Sequence, residues 1–336
     1  MDLLDRMLAG DRLALARLIT RVENRGPDLA AMMQILQPRL GRAYVLGMTG
    51  PPGAGKSSLV DRVTAVLRAE GLPVGVIAVD PSSPFTGGAV LGDRIRMQTH
   101  TLDPDVFIRS MATRGNLGGL ARATGDVIKL MDAFGFPWVI VETVGVGQTE
   151  LDIVQQADTT VVALVPESGD AIQTMKAGLL EVADVFVVNK ADRAGAHALM
   201  AELRFAVHLH HASSASPKDI DWEIPVLATQ AVPGTGVPEL VVAIKRHRAL
   251  LEATGALEKR RQGRRRHELR AALGDAFAAE VVARAKVDPE LARALEAVAA
   301  GTRDVYSAVA LILRRCLGAP PTPGDGLDKG GSRTPR

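Results

Sequence analysis

The sequence predicts an α/β fold: a mostly parallel, doubly wound sheet flanked by helices, with helices added ahead of it and a helical arm behind. Three observations predict it. Seven short apolar runs alternate with helical stretches between residues 43 and 250, the pattern of strands joined by crossover helices. A glycine-rich turn separates the first run from the first helical stretch. Before residue 43 and beyond Gly236 the apolar residues recur instead at three- and four-residue intervals, as on amphipathic helices.

The elements follow in order. From Leu3 to Leu36, Leu, Ile and Met recur at helical spacing among Arg and Asp, with a break near Gly26 and Pro27, so residues 1–42 form a helical prelude. The expected strands are Tyr44–Met48, Val74–Val79, Val106–Ser110, Trp138–Val141, Thr160–Val165, Val185–Val188 and Pro225–Ala228. Residues 43–250 therefore form one α/β domain. Pro238–Leu251 predicts a helix leading into the basic segment Lys259, Arg260, Arg261, Arg264, Arg265 and Arg266. Two more helices, about Glu268–Ala285 and Pro289–Leu317, complete an arm over 251–317 that the sheet does not need and that is expected to mediate assembly. Residues 318–336, rich in Gly, Pro and charge, cannot offset their ordering entropy by burial, and disorder is expected there.

Composition narrows the function. With 336 residues, 47% hydrophobic, the chain can bury one large core. Forty Lys and Arg against 38 Asp and Glu leave a formal charge of +2, too little to steer the protein to nucleic acid or an anionic membrane. Aromatics are 3%, few platforms for stacking bases. The single cysteine, Cys316, excludes an intrachain disulfide framework and a Cys-rich metal site. Asp2, Asp5 and Arg6 interrupt the first leucines, and no run of about eighteen apolar residues follows. A cytoplasmic protein with neither membrane nor nucleic-acid partner is expected.

After the first strand stands Gly50-Pro51-Pro52-Gly53-Ala54-Gly55-Lys56-Ser57-Ser58, then the helical pattern Leu59, Val63, Val66, Leu67. Glycines let successive N–H groups converge on one point, and the following helix aims its positive end there. Lys56 is placed to reach the β- and γ-phosphates, and the Ser57 hydroxyl to ligate Mg²⁺. This strand–loop–helix context marks a P-loop NTPase. The magnesium also needs carboxylates at neighbouring strand ends. Asp80 and Glu142 end two strands, and Asp93 lies in the polar stretch that begins Pro81-Ser82-Ser83. Glu142-Thr143-Val144-Gly145 occupies the position of an Asp-x-x-Gly motif, whose glycine N–H senses the γ-phosphate. Val146 follows, where a water-orienting glutamine would stand in Ras-like enzymes. Valine cannot orient water by hydrogen bonding, so slow intrinsic hydrolysis, accelerated by a partner, is expected, with Gln148 a candidate substitute.

Base choice is written later in the chain. Asn189-Lys190-Ala191-Asp192 follows a strand about 135 residues beyond the phosphate loop. The Asp192 carboxylate can accept from N1–H and the exocyclic amine of guanine, donors that adenine lacks on that edge. The Asn189 amide suits the opposite edge or ties loops together, and the Lys190 stem can lie over the base. Thr229, Gln230 and Ala231 close the last strand, with the Ala231 N–H a candidate donor to guanine O6. GTP and GDP with Mg²⁺ are the expected ligands.

These residues resemble the metallochaperone-like P-loop GTPases, and within them the MeaB/ArgK family that serves methylmalonyl-CoA mutase. The resemblance spans about Leu13 to Leu317. It is carried by Val79–Gly88 with Leu91-Gly92-Asp93-Arg94, by Thr113-Arg114-Gly115-Asn116-Leu117-Gly118-Gly119, by Val141–Gln148 and by Gly169–Gly178. Departures are Gln230, where serine is usual, and the long tail. The resemblance implies that Asp80, Asp93 and Glu142 approach the magnesium. It further implies that Asp170, Gln173 and Lys176 lie in a switch coupling partner to hydrolysis, a stretch whose residues alone would suit an ordinary solvated helix start. It implies a homodimer through the carboxyl-terminal arm and a chaperone that gates adenosylcobalamin loading, the cobalamin sitting on methylmalonyl-CoA mutase or a related acyl-CoA mutase rather than on this chain. Two other readings compete: a small-molecule or protein kinase of the P-loop class, which would need ATP, and a nickel-insertion GTPase, which would need a Cys or His site beyond the local cluster His208, His210 and His211.

Overall fold

The computed structural model describes residues 2–80, 98–100, 102–112, 123–143, 153, 155–167, 180–213 and 220–318. The chain divides into two compact units, Met1–Arg264 and Arg265–Arg336.

The first unit opens with α1 (Leu3–Leu8), α2 (Arg12–Glu23) and α3 (Leu29–Leu36). Asp11 caps α2 by accepting from the Leu13 and Ala14 N–H groups, as an N-cap carboxylate does. The prelude breaks at Gly26 as expected and also at Gly10, whose φ of 93° ends α1. Leu15, Leu18, Ile19 and Leu36 are buried against one face of the sheet.

Next come β1 (Tyr44–Thr49), α4 (Lys56–Ala69), β2 (Val74–Asp80), β3 (Val106–Ala112), α5 (Thr124–Phe134) and β4 (Trp138–Glu142). They are followed by β5 (Thr159–Leu164), β6 (Val185–Val188), α6 (Ala196–Ser213), β7 (Val226–Ala228) and α7 (Val237–Ala253). All seven expected strands form, within two residues of the expected bounds at either end. The strand order is β3-β2-β4-β1-β5-β6-β7 and each described pairing is parallel. Strands β1, β4 and β5 are buried at every position, which is why they read as continuous apolar runs rather than alternating ones. One face of the sheet is covered by the amino-terminal helices and α5, the other by α4 and α7.

Two expectations about the later helices are corrected. The helix expected from about Glu268 begins twelve residues earlier: α8 runs unbroken over Ala256–Ala285, taking Lys259 to Arg266 into its first turns. The stretch from Pro289 is two helices, α9 (Pro289–Ala299) and α10 (Val305–Leu317). Gly301, with φ 70°, breaks the path, and Asp304 caps α10 through the Ser307 N–H at 2.9 Å. Within the second unit, Val281, Leu291 and Ile312 form a small core.

Candidate nucleotide site

Strand order alone places the site. The chain leaves β1 for β2 on one side and, after β4, returns to β5 on the other, so the carboxyl end of β1 lies at the switch point of a doubly wound sheet, where ligands bind. The loop Gly50–Gly55 sits there. Gly50, Gly53 and Gly55 hold φ of 134°, 77° and 82°, the last as N-cap of α4. A Cβ on Gly50 would collide with the Ala163 carbonyl oxygen of β5, and one on Gly55 with the Asn189 amide nitrogen. Glycine is thus required at Gly50 and Gly55 by space as well as by backbone conformation.

At the start of α4, Lys56 and Ser57 are 6% and 5% exposed. Lys56 Nζ donates to the carbonyls of Gly50 at 2.8 Å and Pro51 at 3.1 Å, which holds the ammonium beside the loop. Pro52 and Gly53 are exposed on its outer side; Ala54 is buried and Ser58 half-buried. Parallel register sets Glu142 opposite Met48 of β1 and opposite Ala78 of β2. The carboxylate therefore reaches the loop, and Ser57 Oγ donates to Glu142 Oε1 at 2.7 Å. Next to this pair, the Thr49 and Thr143 hydroxyls bond at 2.8 Å. No motif reasoning singled out that pair, although both threonines stand at strand ends beside residues that were singled out.

Asn189, 2% exposed, is a hub. Its Nδ2 donates to the Ala54 carbonyl at 2.9 Å, and its Oδ1 accepts from the Ala231 N–H at 3.0 Å and the Thr229 hydroxyl at 3.2 Å. Of the two roles open to it, the amide ties loops together. The Ala231 N–H, expected to face guanine O6, is used inside the protein because a buried amide hydrogen needs an acceptor. Gln230 bonds Thr235 across a tight loop through its N–H at 2.9 Å. Lys190 holds φ 54°, a left-handed conformation uncommon outside glycine. Beyond it the turn leaves Asp192 exposed, with the Ala191 N–H donating to the Thr229 carbonyl at 3.0 Å.

Asp80 ends β2, whose register carries it two residues past the one facing Glu142; its side chain lies outside the described residues. Asp93, Gly145 and Gln148, and the switch candidates Asp170, Gln173 and Lys176, also lie outside them. Among the described residues, no three or more His, Cys, Asp or Glu side chains gather as a metal site, and no helix is long and apolar enough to cross a membrane.

The model of the family "Methylmalonyl Co-A mutase-associated GTPase MeaB" matches residues 15–286. The chain belongs to the MeaB family. A putative GTPase of Pyrococcus abyssi is 50% identical over 317 residues, covering 94% of this chain and 97% of that protein. GTPase ArgK of Escherichia coli is 38% identical over 265 residues, 76% of this chain and 78% of that one. A solved structure described as a LAO/AO transport system kinase superposes with a TM-score of 0.66 at 30% identity, covering 93% of this chain and 96% of that one. This MeaB-family chain is accordingly a P-loop GTPase, a hydrolase acting on GTP.

Proposed function

We propose that this MeaB-family GTPase is a magnesium-dependent, GTP-gated chaperone of a cobalamin-dependent acyl-CoA mutase, methylmalonyl-CoA mutase or a relative. It gates adenosylcobalamin loading and protects or reactivates the mutase. It acts in the cytoplasm as a homodimer assembled through the helices of 251–317. The partnership is supported by the family match over residues 15–286.

The observation that carries the hydrolytic part is the 2.7 Å contact between Ser57 Oγ and Glu142 Oε1 beside Lys56. A hydroxyl and a carboxylate at this separation can occupy adjacent positions around a small cation, whose ligands stand about 2.1 Å from it. The donor set is all oxygen and so fits Mg²⁺, with Asp80 and Asp93 proposed to complete its surroundings. Mg²⁺ held there neutralises charge developing on the β- and γ-phosphate oxygens. The amides of Gly53 to Ser58 and the start of α4, worth about half a positive charge, cradle the phosphates. Lys56 exchanges its carbonyl partners for phosphate oxygens, and the Gly145 N–H senses the terminal one. Asp192 accepts from the guanine edge, while Asn189 fixes the distance between the base loops and Ala54. Val146 supplies no hydrogen bond to water, which leaves hydrolysis slow until the partner acts through Asp170, Gln173 and Lys176.

The test is retention of the mutase. Immobilised protein loaded with a non-hydrolysable GTP analogue, incubated in native-host extract, is expected to retain a cobalamin-dependent acyl-CoA mutase subunit that the GDP-loaded protein retains less. Equal retention in both states, or none, removes the gating proposal. Addition of purified mutase is expected to raise single-turnover GTP hydrolysis.

A further inference from the structure

The loop after β7 is tied down from two sides. On one side Asn189 takes the Ala231 N–H. On the other Arg62, on α4, donates through Nε to the Ala231 carbonyl at 3.1 Å and through Nη2 to the Val232 carbonyl at 2.6 Å. The two donors of one planar guanidinium thus match two successive carbonyls, a geometry that a lysine cannot reproduce. Ala231 is buried in the core with Val237, but Val232 at the tip is 79% exposed, so apolar burial holds the base of the loop and leaves its tip to Arg62. Arg62 stands six residues beyond Lys56 on the same helix, and Asn189 is bonded to Ala54 of the phosphate loop. A closed circuit therefore joins the phosphate loop, Asn189, the 229–236 loop and α4.

We infer that Arg62 is a positioning residue for base selection: it holds the 229–236 loop against the Asn189–Asp192 turn, and so couples the wall of the base pocket to the helix that carries Lys56 and Ser57. This rests on the guanine reading of Asp192. A loop freed from Arg62 lets Asn189 and its turn shift, and the first property lost is discrimination between guanine and adenine. Phosphate binding, which uses the first turn of α4 nearly two turns before Arg62, is affected less.

The full-length parent, Arg62→Ala and Arg62→Lys are compared with Mg²⁺ present, using fluorescent GDP displaced by GTP or ATP, GTP turnover and thermal melting. Arg62→Ala is expected to bind GTP roughly tenfold more weakly, the scale of losing hydrogen bonds from a charged donor. ATP affinity is expected to hold, so the GTP-to-ATP preference falls, and the turnover defect appears in KM more than in kcat. Arg62→Lys, with a point charge in place of the fork, should recover part of the preference. A folded Arg62→Ala that keeps the parental GTP-to-ATP ratio overturns the inference. So does equal weakening of both nucleotides alongside a lowered melting temperature, the mark of a merely structural role. Should Arg62→Ala not fold, Arg62→Lys alone decides by the same ratio. A parent without guanine preference would instead sink the reading of Asp192, an outcome separate from the others.

Discussion

Asp192, proposed to read the base, is the residue whose chemistry is easiest to invert. Guanine offers it two donors, N1–H and the exocyclic amine, whereas xanthine offers N1–H and a carbonyl in the amine's place. An amide side chain has one acceptor and one donor, matching xanthine. Asp192→Asn is expected to bind GTP about a hundredfold more weakly, since a site built around hydrogen bonds penalises mismatch heavily, and to prefer xanthosine triphosphate. Calorimetric titration of both nucleotides checks this; an unaltered GTP preference would remove Asp192 from the base site. Lys56, Ser57 and Glu142 could be singled out from sequence because their positions are fixed by spacing from a strand end. Arg62 could not, because its two acceptor carbonyls lie 169 and 170 residues away. Asn189 was half legible: the motif located it, but whether its amide faces a base or a neighbouring loop depends on where Ala54 and Ala231 come to rest.

Among the elements, the phosphate loop shows how a local pattern acquires a tertiary reason. Gly50 and Gly53 both hold positive φ, yet a Cβ on Gly53 meets nothing within 4 Å while one on Gly50 runs into β5. Gly53→Ala is therefore expected to cost the backbone penalty alone, about 1 kcal/mol. Gly50→Ala is expected to cost more, about 3 kcal/mol, since it must also displace a backbone carbonyl. Urea unfolding of the nucleotide-free protein compares them, and equal midpoints would contradict the packing argument. The strands were legible because a parallel sheet buried on both faces leaves uninterrupted apolar runs. The start of α8 was not. Its first turns carry Arg260, Arg261 and Arg264 rather than an apolar stripe, and the acceptors are Asp158 and Asp184, 76 to 106 residues earlier. The split between α9 and α10 was signalled by Gly301 and Asp304, a glycine and a cap three residues apart, but both sit inside one stretch of helical periodicity.

Across the first unit, stability depends on a charge network at the sheet edge opposite the nucleotide site. Asp158, fully buried ahead of β5, accepts from Arg261 at 2.7 Å, from Arg264 and from the Val45 N–H at 2.9 Å. Asp184, ahead of β6, accepts from Arg260 at 3.1 Å. His247 of α7, also fully buried, bonds Thr159 through Nδ1 at 2.7 Å and places Nε2 3.3 Å from Asp184. Burial acts to raise the Asp158 pKa, but the bond from Arg261 and the charges of Arg264 and Arg261 outweigh it and hold the carboxyl below its usual value. Burial lowers the pKa of His247 despite the nearby Asp184. Both signs act in the same direction. Below about pH 6.5, the ordinary histidine value, the unfolded chain takes up a proton that folded His247 refuses, so stability falls as pH falls. The Asp158 contribution is present above about pH 4 and is lost as pH drops through its depressed folded value. The melting temperature is thus expected to fall from pH 7 to 5.5, with a smaller fall in His247→Gln, and further in stronger acid. Asp158→Asn is expected to cost about 3 kcal/mol at pH 7, the lower end for breaking a buried ion pair, because Asp158 is fully buried while Arg261 and Arg264 are only partly so; a flat pH profile or a neutral Asp158→Asn would refute the network's role. The sequence by itself determined the fold class, the phosphate loop and the family, because strand runs, glycine spacing and motif strings are short-range properties of the chain. Only the tertiary structure decided that Glu142 meets Ser57, that Asn189 binds loops together and that the basic turn of α8 grips the sheet, because each is a contact between residues far apart in sequence whose meeting depends on strand order and register.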